Sequence, residues 1–107
     1  MEFKLHVKKQ LQNFTKSTGD TLKLRCDFGG VPNNAKLKIT WLKNEASLDD
    51  YDDERIMIRN AGLHSTRLRI ADLAFLDSGF YTCRAESVDG QYGTAESTSM
   101  VKIRASV

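Results

Sequence analysis

Alternation of apolar and polar residues along the chain predicts an all-β protein built from short strands. Residues 21–28 show the pattern most clearly, because Leu22, Leu24, Cys26 and Phe28 are separated by single charged residues. Successive side chains of a strand point to opposite faces, so one face of such a strand lies on a core and the other faces solvent. The same pattern predicts strands that we name A, A′, B, C, D, E, F and G: residues 3–7, 11–16, 21–28, 37–43, 55–59, 65–71, 80–86 and a last strand around 101–103.

The segments between these strands predict turns and one short helical turn. Residues 88–93 are rich in turn-forming residues and predict a hairpin loop between F and G. Residues 72–76 predict a single helical turn that places Leu73 in the core. Residues 43–55 leave room for a short strand C′ and for no strand C″.

The spacing of two cysteines, a tryptophan and a tyrosine is the most specific signal in the sequence. Cys26 and Cys83 lie 57 positions apart, and Trp41 falls between them. Tyr81 precedes Cys83 by two residues, at the end of a segment that begins with Asp77 and reads Asp-Ser-Gly-Phe-Tyr-Thr-Cys. The pattern resembles the immunoglobulin superfamily over nearly the whole chain, and the short C–D segment resembles its intermediate set (I-set).

The resemblance implies a β-sandwich of two sheets, with strand orders A-B-E-D and A′-G-F-C-C′. It implies one disulfide, Cys26–Cys83, packed against Trp41, and a tyrosine corner at Tyr81. Closing a loop of this length stabilises the fold by about 4 kcal/mol in the chain-entropy treatment. The resemblance also implies a buried ion pair between Arg55, at the start of D, and Asp77, before F.

Length and composition fit one such domain. The chain has 107 residues, 40% of them apolar, and a single proline, and no segment resembles a linker. We therefore interpret residues 1–107 as one domain of a larger protein. No apolar run is long enough to span a membrane and no signal peptide is recognisable, so we expect membrane attachment only through a transmembrane segment of the parent protein. The net charge of +2 is too small to indicate nucleic-acid binding.

The tripeptide Asn13-Phe14-Thr15 bears on the compartment. Asn-X-Thr is an acceptor for N-glycosylation and predicts an exposed site in an extracellular protein. Two cysteines alone do not distinguish an extracellular protein from a cytosolic one, because immunoglobulin domains of muscle filaments carry similar residues in the cytosol. We expect an extracellular domain with a glycan on Asn13.

Three further segments are similar to one receptor family. Residues 13–26, 41–46 and 65–70 resemble the immunoglobulin domain of Ror-type receptor tyrosine kinases. The loop at 29–36 and the acidic segment at 49–54 depart from that family. The resemblance implies a cell-surface receptor of Wnt signalling, with a frizzled-type domain, a kringle and a kinase elsewhere in the protein. The kinase signature itself is absent from this chain.

The sequence gives little support for catalysis. His6 and His64 are isolated, and no Cys or His residues have the spacing of metal ligands. The acidic residues between 49 and 54 lack the glycine and the distal glutamate of an EF-hand. We predict a non-enzyme without cofactor or metal.

Two sets of residues are candidate contact surfaces. The outward residues of B, D and E include five cations that would attract heparan sulfate or an acidic partner: Lys23, Arg25, Arg59, Arg67 and Arg69. On the other sheet, Leu42 and Phe80 are expected to point to solvent, flanked by Lys38 and Arg84, and to form a protein contact. Solvated charged side chains and single exposed apolar residues are the ordinary alternatives to both readings.

Three functions agree with these features. The first is the protein-interaction module of a cell-surface receptor, most similar to Ror. The second is an adhesion or matrix domain of the perlecan kind that binds protein or heparan sulfate. The third is a structural domain of an intracellular muscle filament.

Overall fold

The computed structural model describes residues 2–106 as an all-β sandwich. Two short 3-10 turns lie at Leu48–Asp50 and Phe75–Asp77. The strands are β1 (His6–Val7), β2 (Phe14–Ser17), β3 (Leu22–Gly29), β4 (Leu37–Lys43), β5 (Ala46–Ser47), β6 (Ile56–Asn60), β7 (Ser65–Ile70), β8 (Gly79–Ser87) and β9 (Thr94–Arg104).

The strands form two sheets in the predicted order. A four-stranded sheet runs β1-β3-β7-β6, which is A-B-E-D, and a five-stranded sheet runs β2-β9-β8-β4-β5, which is A′-G-F-C-C′. The pairing of β2 with β9 is parallel, and the other neighbours are antiparallel. The predicted fold class is therefore confirmed.

A disulfide and a tryptophan join the sheets at the centre of the core. Cys26 of β3 and Cys83 of β8 are bonded, as predicted, and both are fully buried. Trp41 is 1% exposed, and its indole Nε1–H donates a hydrogen bond of 2.8 Å to Thr66 Oγ1 on the opposite sheet. Because a buried N–H without a partner is costly, this bond fixes the ring between the sheets.

A tyrosine corner and an ion pair close one end of the sandwich. The Tyr81 hydroxyl donates to the Asp77 carbonyl at 2.6 Å, and burial raises the pKa of this phenol. The two terminal nitrogens of Arg55, Nη1 and Nη2, donate to the Asp77 carboxylate at 2.8 and 3.0 Å. The pair is less buried than expected, because the Arg55 side chain reaches it from the rim and remains 32% exposed.

The Asp77 carboxylate is held in its charged form. Burial alone would raise its pKa, but the hydrogen bonds from Arg55 and from the Ala74 N–H outweigh burial, and the pKa lies below the usual range. Attraction to Asp77 in turn raises the pKa of Arg55. The charged pair is thus the stable form across the neutral range.

Several predicted boundaries were wrong near the chain start and the helical turn. Leu11 and Gln12, predicted in strand A′, are held by side chains of β9: Leu11 N–H donates to Ser97 Oγ, and Ser99 Oγ donates to the Gln12 carbonyl. Strand A is reduced to β1, and A′ begins later than predicted. The helical turn lies at Phe75–Asp77 rather than at 72–76, although Leu73 is buried as expected.

Candidate functional site

The outward surface of β4, β8 and β9, which we call the five-stranded face, carries an exposed aromatic residue. Phe80 is 54% exposed and lies opposite the half-buried Met100 in the pairing of β8 with β9. Exposed apolar side chains on neighbouring strands are a common feature of protein contacts. Met100 and Phe80 form an apolar pair. The alternation within β8 alone does not predict this pair, because Met100 belongs to β9.

The prediction that Leu42 points to solvent on this face was wrong. Leu42 is 7% exposed although it lies outside the core cluster. It is flanked by Thr82 on β8 and by Ser47 on β5, and Arg84 reaches from β8 past this position to Glu45. The short strand β5 and this ion pair enclose Leu42, so it supports the face and is not part of the exposed contact area.

Arg84 is a paired charge rather than a free cation at the edge of the patch. Its Nε donates to Glu96 at 2.9 Å and its Nη2 donates to Glu45 at 3.0 Å. Hydrogen bonds to these two carboxylates raise the pKa of Arg84, and the bond to Glu96 has the larger effect. Lys38, the other predicted cation, is exposed and lies opposite Glu86. Arg84 and Lys38 therefore lie beside carboxylates, whereas Lys102, the next outward residue of β9 after Met100, is exposed and takes part in no ion pair within residues 2–106.

The backbone beneath Phe80 is held rigidly. Phe80 N–H donates to Asn44 Oδ1 at 2.9 Å, and Asn44 N–H donates to the Phe80 carbonyl at 2.8 Å. Gly79 has a φ of +155°, and a Cβ at that position would lie 2.9 Å from Asn44 Oδ1. Glycine is needed there because the Asn44 side chain packs directly on the backbone. These contacts fix the backbone from which the Phe80 ring projects.

The outward surface of β3, β7 and β6, which we call the four-stranded face, has a different character. Antiparallel register aligns its side chains in two rows across the sheet. Arg25, Arg67 and Arg59 form one row, and Lys23, Arg69 and Met57 form the other. All six of these residues are exposed. The five predicted cations thus form one contiguous block.

Negative charge reaches this block only at its edge. Arg25 Nε lies 3.0 Å from Asp27 Oδ2, while Asp27 also accepts a 2.6 Å hydrogen bond from the Ser65 hydroxyl. The Ser65 hydrogen bond and the Arg25 charge together lower the pKa of Asp27. Arg59, Arg67 and Arg69 take part in no ion pair within residues 2–106.

The block lines a shallow groove of about 320 Å³ that contains all five cations and Met57. A second groove, of about 250 Å³, shares Lys23, Leu24 and Arg25 with the first and continues to Lys9, Gln10 and Gln12. The sequence pattern did not indicate this extension, because it depends on how the segment before β2 lies beside β3, through the Lys8 N–H bond to the Asp27 carbonyl and the side-chain bonds to β9. The two grooves form one track across the sheet.

The acceptor tripeptide lies at the edge of the five-stranded face. Asn13 and Thr15 are exposed, and Asn13 Oδ1 accepts a 2.9 Å hydrogen bond from Met100 N–H. That bond uses the oxygen of the amide, whereas a glycan would be attached to the nitrogen. A glycan at this position would project from the sheet edge beside Met100.

The two histidines contact backbone carbonyl groups. His64 Nε2 lies 2.7 Å from the Ala35 carbonyl, a contact that ties two loops together, and His6 lies in β1. No group of three His, Cys, Asp or Glu side chains within residues 2–106 has the geometry to hold a metal ion. Within the same residues, no helix has the length and hydrophobicity that crossing a bilayer requires.

Comparison with known proteins gives relatives of several kinds. Papilin of Drosophila melanogaster is 35% identical over 69 residues, which are 64% of this chain and 2% of papilin. Vascular endothelial growth factor receptor 2 of Coturnix japonica is 32% identical over 80 residues, 75% of this chain and 5% of the receptor. A titin homolog of Caenorhabditis elegans is 35% identical over 80 residues, 74% of this chain. The chain thus spans only a small part of these relatives.

Solved structures and the family match agree on the fold. The crystal structure of the titin M3 domain superposes with a TM-score of 0.77 at 20% identity, covering 95% of this chain and 98% of that domain. At that identity the likeness shows the fold alone. The immunoglobulin I-set domain family matches residues 5–103, and the chain therefore belongs to the immunoglobulin I-set family.

Proposed function

We propose that the chain is a non-catalytic, extracellular protein-interaction module of a cell-surface receptor of the Ror-like kind. Its contact surface is the five-stranded face, and the observation that carries the proposal is the exposed Phe80, which lies opposite Met100 on the outward side of the sheet. Growth factor receptors are among the relatives of the chain. Residues 1–107 are one module of that longer protein.

Phe80 has the properties of a binding anchor. Interface hot spots are rich in aromatic residues that lie at the centre of a patch and become fully desolvated on binding. The backbone of Phe80 is held by hydrogen bonds with Asn44, so little backbone entropy is lost when a partner covers this residue. Balanced charge around Arg84 avoids leaving an unpaired cation beneath the partner.

The position of Asn13 supports an extracellular site for this face. A glycan on Asn13 would lie at the β2 edge and border the contact area at Met100, while β8 and β4 lie on the far side of β9 from that edge. The partner would therefore approach Phe80 from the β4 side. Removing the glycan with a Thr15→Ala substitution should leave binding intact.

Two phenylalanines of similar exposure provide a matched test. Phe80 is 54% exposed on the five-stranded face, and Phe75 is 59% exposed in the turn before β8. That turn lies at one end of the sandwich, since the β9 residue Ile103 donates its N–H to Ser78 Oγ there. Labelled tetramers of the secreted domain should bind cells that carry the partner. Phe80→Asp should abolish the binding that survives heparin-lyase treatment, and Phe75→Asp should not.

The opposite pattern would favour a filament domain. Similarity to the titin homolog makes an intracellular structural role the second candidate. In that role contacts run end to end, so Phe75→Asp should disturb them while Phe80→Asp has no effect. A Cys26–Cys83 pair that is alkylated in protein taken directly from cells, together with an unmodified Asn13, would reject the receptor proposal.

A further inference from the structure

We propose that the four-stranded face is a separate binding site for a linear sulfated glycan, which lies across the strands from β6 towards the segment before β2. The site is independent of the protein contact proposed for the five-stranded face. Its ligand is defined by chemistry: a polymer that carries sulfate groups along its length.

The arginine row is the first observation that carries this inference. Arg67 lies directly between Arg25 and Arg59 in the register of the sheet. Like charges opposite each other on neighbouring strands are unfavourable, so the row weakens the free domain. Each guanidinium is a planar donor fork that suits the oxygens of an oxyanion. Sulfate groups placed along the row would supply negative charge that the neighbouring side chains of the row do not supply.

The continuity of the two grooves is the second observation. The first groove extends from Arg59 to Arg25, a distance of about 10 Å across three strands. Through Lys23 and Arg25 it joins the second groove, where Lys9 adds a cation, Gln10 adds an amide donor, and Asp27 adds a carboxylate that is paired with Arg25. A track with cations at intervals fits an extended polymer better than a compact ligand.

The composition of the face distinguishes a glycan from other polyanions. Among the exposed large apolar side chains of residues 2–106, Met57 is the one that lies on this face. Protein interfaces use aromatic or apolar anchors at their centre, and single-stranded nucleic acid stacks its bases on aromatic rings. Met57 lies at one end of its row, on the edge strand β6, and Phe14 in the second groove is half-buried, so the track has no exposed aromatic anchor at its centre.

A charge-matched pair of double variants tests the site. Arg67→Glu with Arg69→Glu reverses two charges in the block, and Lys102→Glu with Arg104→Glu reverses two exposed charges on β9. The probe is a heparin oligosaccharide, with desulfated heparin as the control ligand. We expect the first variant to lose affinity by about tenfold or more and the second by less than about twofold, with steep salt dependence in the parent chain.

A single variant tests the direction of the track. Lys9→Glu should weaken binding of a long heparin oligosaccharide and leave a short one that fills only the first groove unaffected. Lys36→Glu, at an exposed loop position, is the control. Circular dichroism spectra unchanged from the parent would show that the variants are folded, since all the substituted residues are exposed.

Three results would overturn the proposal. Equal losses in the two double variants would show that only net charge matters. Desulfated heparin that binds as tightly as heparin would show that the site does not recognise sulfate. Tighter binding of duplex DNA or of an acidic peptide than of heparin at the same salt concentration would assign the face to another class of ligand.

Discussion

On the five-stranded face Arg84 lies between two carboxylates, whereas on the four-stranded face Arg67 lies between two other arginines. Both residues occupy the outward positions of strands with the same alternating pattern. What differs is the identity of the cross-strand neighbours, which register decides. Opposite charges across a sheet stabilise it and like charges weaken it. Arg84 is therefore neutralised by its neighbours, whereas the arginine row has cations left for a ligand.

The largest expected effect comes from the core that both faces share. Trp41→Ala should lower the free energy of unfolding by about 3–5 kcal/mol, because it opens a cavity between the sheets and leaves Thr66 without its partner. Binding at both faces should be lost together at physiological temperature. Trp41→Phe is the milder control, and it should cost less because most of the ring volume remains. Urea denaturation measures both. Loss of binding at one face alone would show that the faces do not depend on a common core.

The ion pair at the end of the sandwich comes next. Asp77→Ala should cost about 2–3 kcal/mol, because it removes two charged hydrogen bonds from Arg55, which keeps its contact with Asp53, and leaves the Ala74 N–H without its acceptor. Asp53→Asn, which removes the second carboxylate that Arg55 contacts, is the matched control and should cost much less. A melting temperature of Asp77→Ala equal to that of the parent chain would show that the pair does not stabilise the fold.

The same pair predicts a pH dependence. The folded pKa of Asp77 is depressed, so its stabilisation is present above the pKa of an unfolded aspartate, about 3.9, and is lost as the pH falls through the folded value. The stability difference between the parent chain and Asp77→Asn should therefore be full at neutral pH and shrink below about pH 4. Urea titrations at a series of pH values measure it, and a constant difference down to pH 2 would contradict this assignment.

Two apolar residues separate the support of the five-stranded face from its contact area. Leu42→Ala should cost about 2 kcal/mol, because the side chain is buried between β8 and β5. Phe80→Ala should change stability by less than about 0.5 kcal/mol, because more than half of the ring is exposed. Thermal denaturation compares them. Equal costs would mean that Phe80 is also a structural residue.

Most of the fold was predictable from the sequence, because it depends on alternation and on a few spacings. The positions of Cys26, Trp41 and Cys83 predicted the sheets and the bond between them, and the structure confirms both. The burial of Leu42 was not predictable, since it depends on a two-residue strand and on the ion pair of Arg84 with Glu45. Alternation shows which way a side chain points, but it does not show what covers it.

The candidate sites were predictable only in part, for the same reason. The five cations were visible in the strand pattern, whereas the row of Arg25, Arg67 and Arg59 needs the register of three strands. Met100 and Lys9 were missed because each joins its surface from another segment of the chain. Contacts between segments distant in sequence leave no local pattern.

One pair of charge reversals tests the difference between the two faces most directly. Arg67→Glu replaces the centre of an arginine row with a carboxylate, and Arg84→Glu places a third carboxylate beside Glu45 and Glu96. Both substitutions change the net charge equally. By urea denaturation at low salt, we expect Arg67→Glu to raise the free energy of unfolding and Arg84→Glu to lower it, each by about 0.5–1 kcal/mol. Changes of the same sign in both variants would contradict the account of Arg84 as a balanced charge and Arg67 as an unbalanced one.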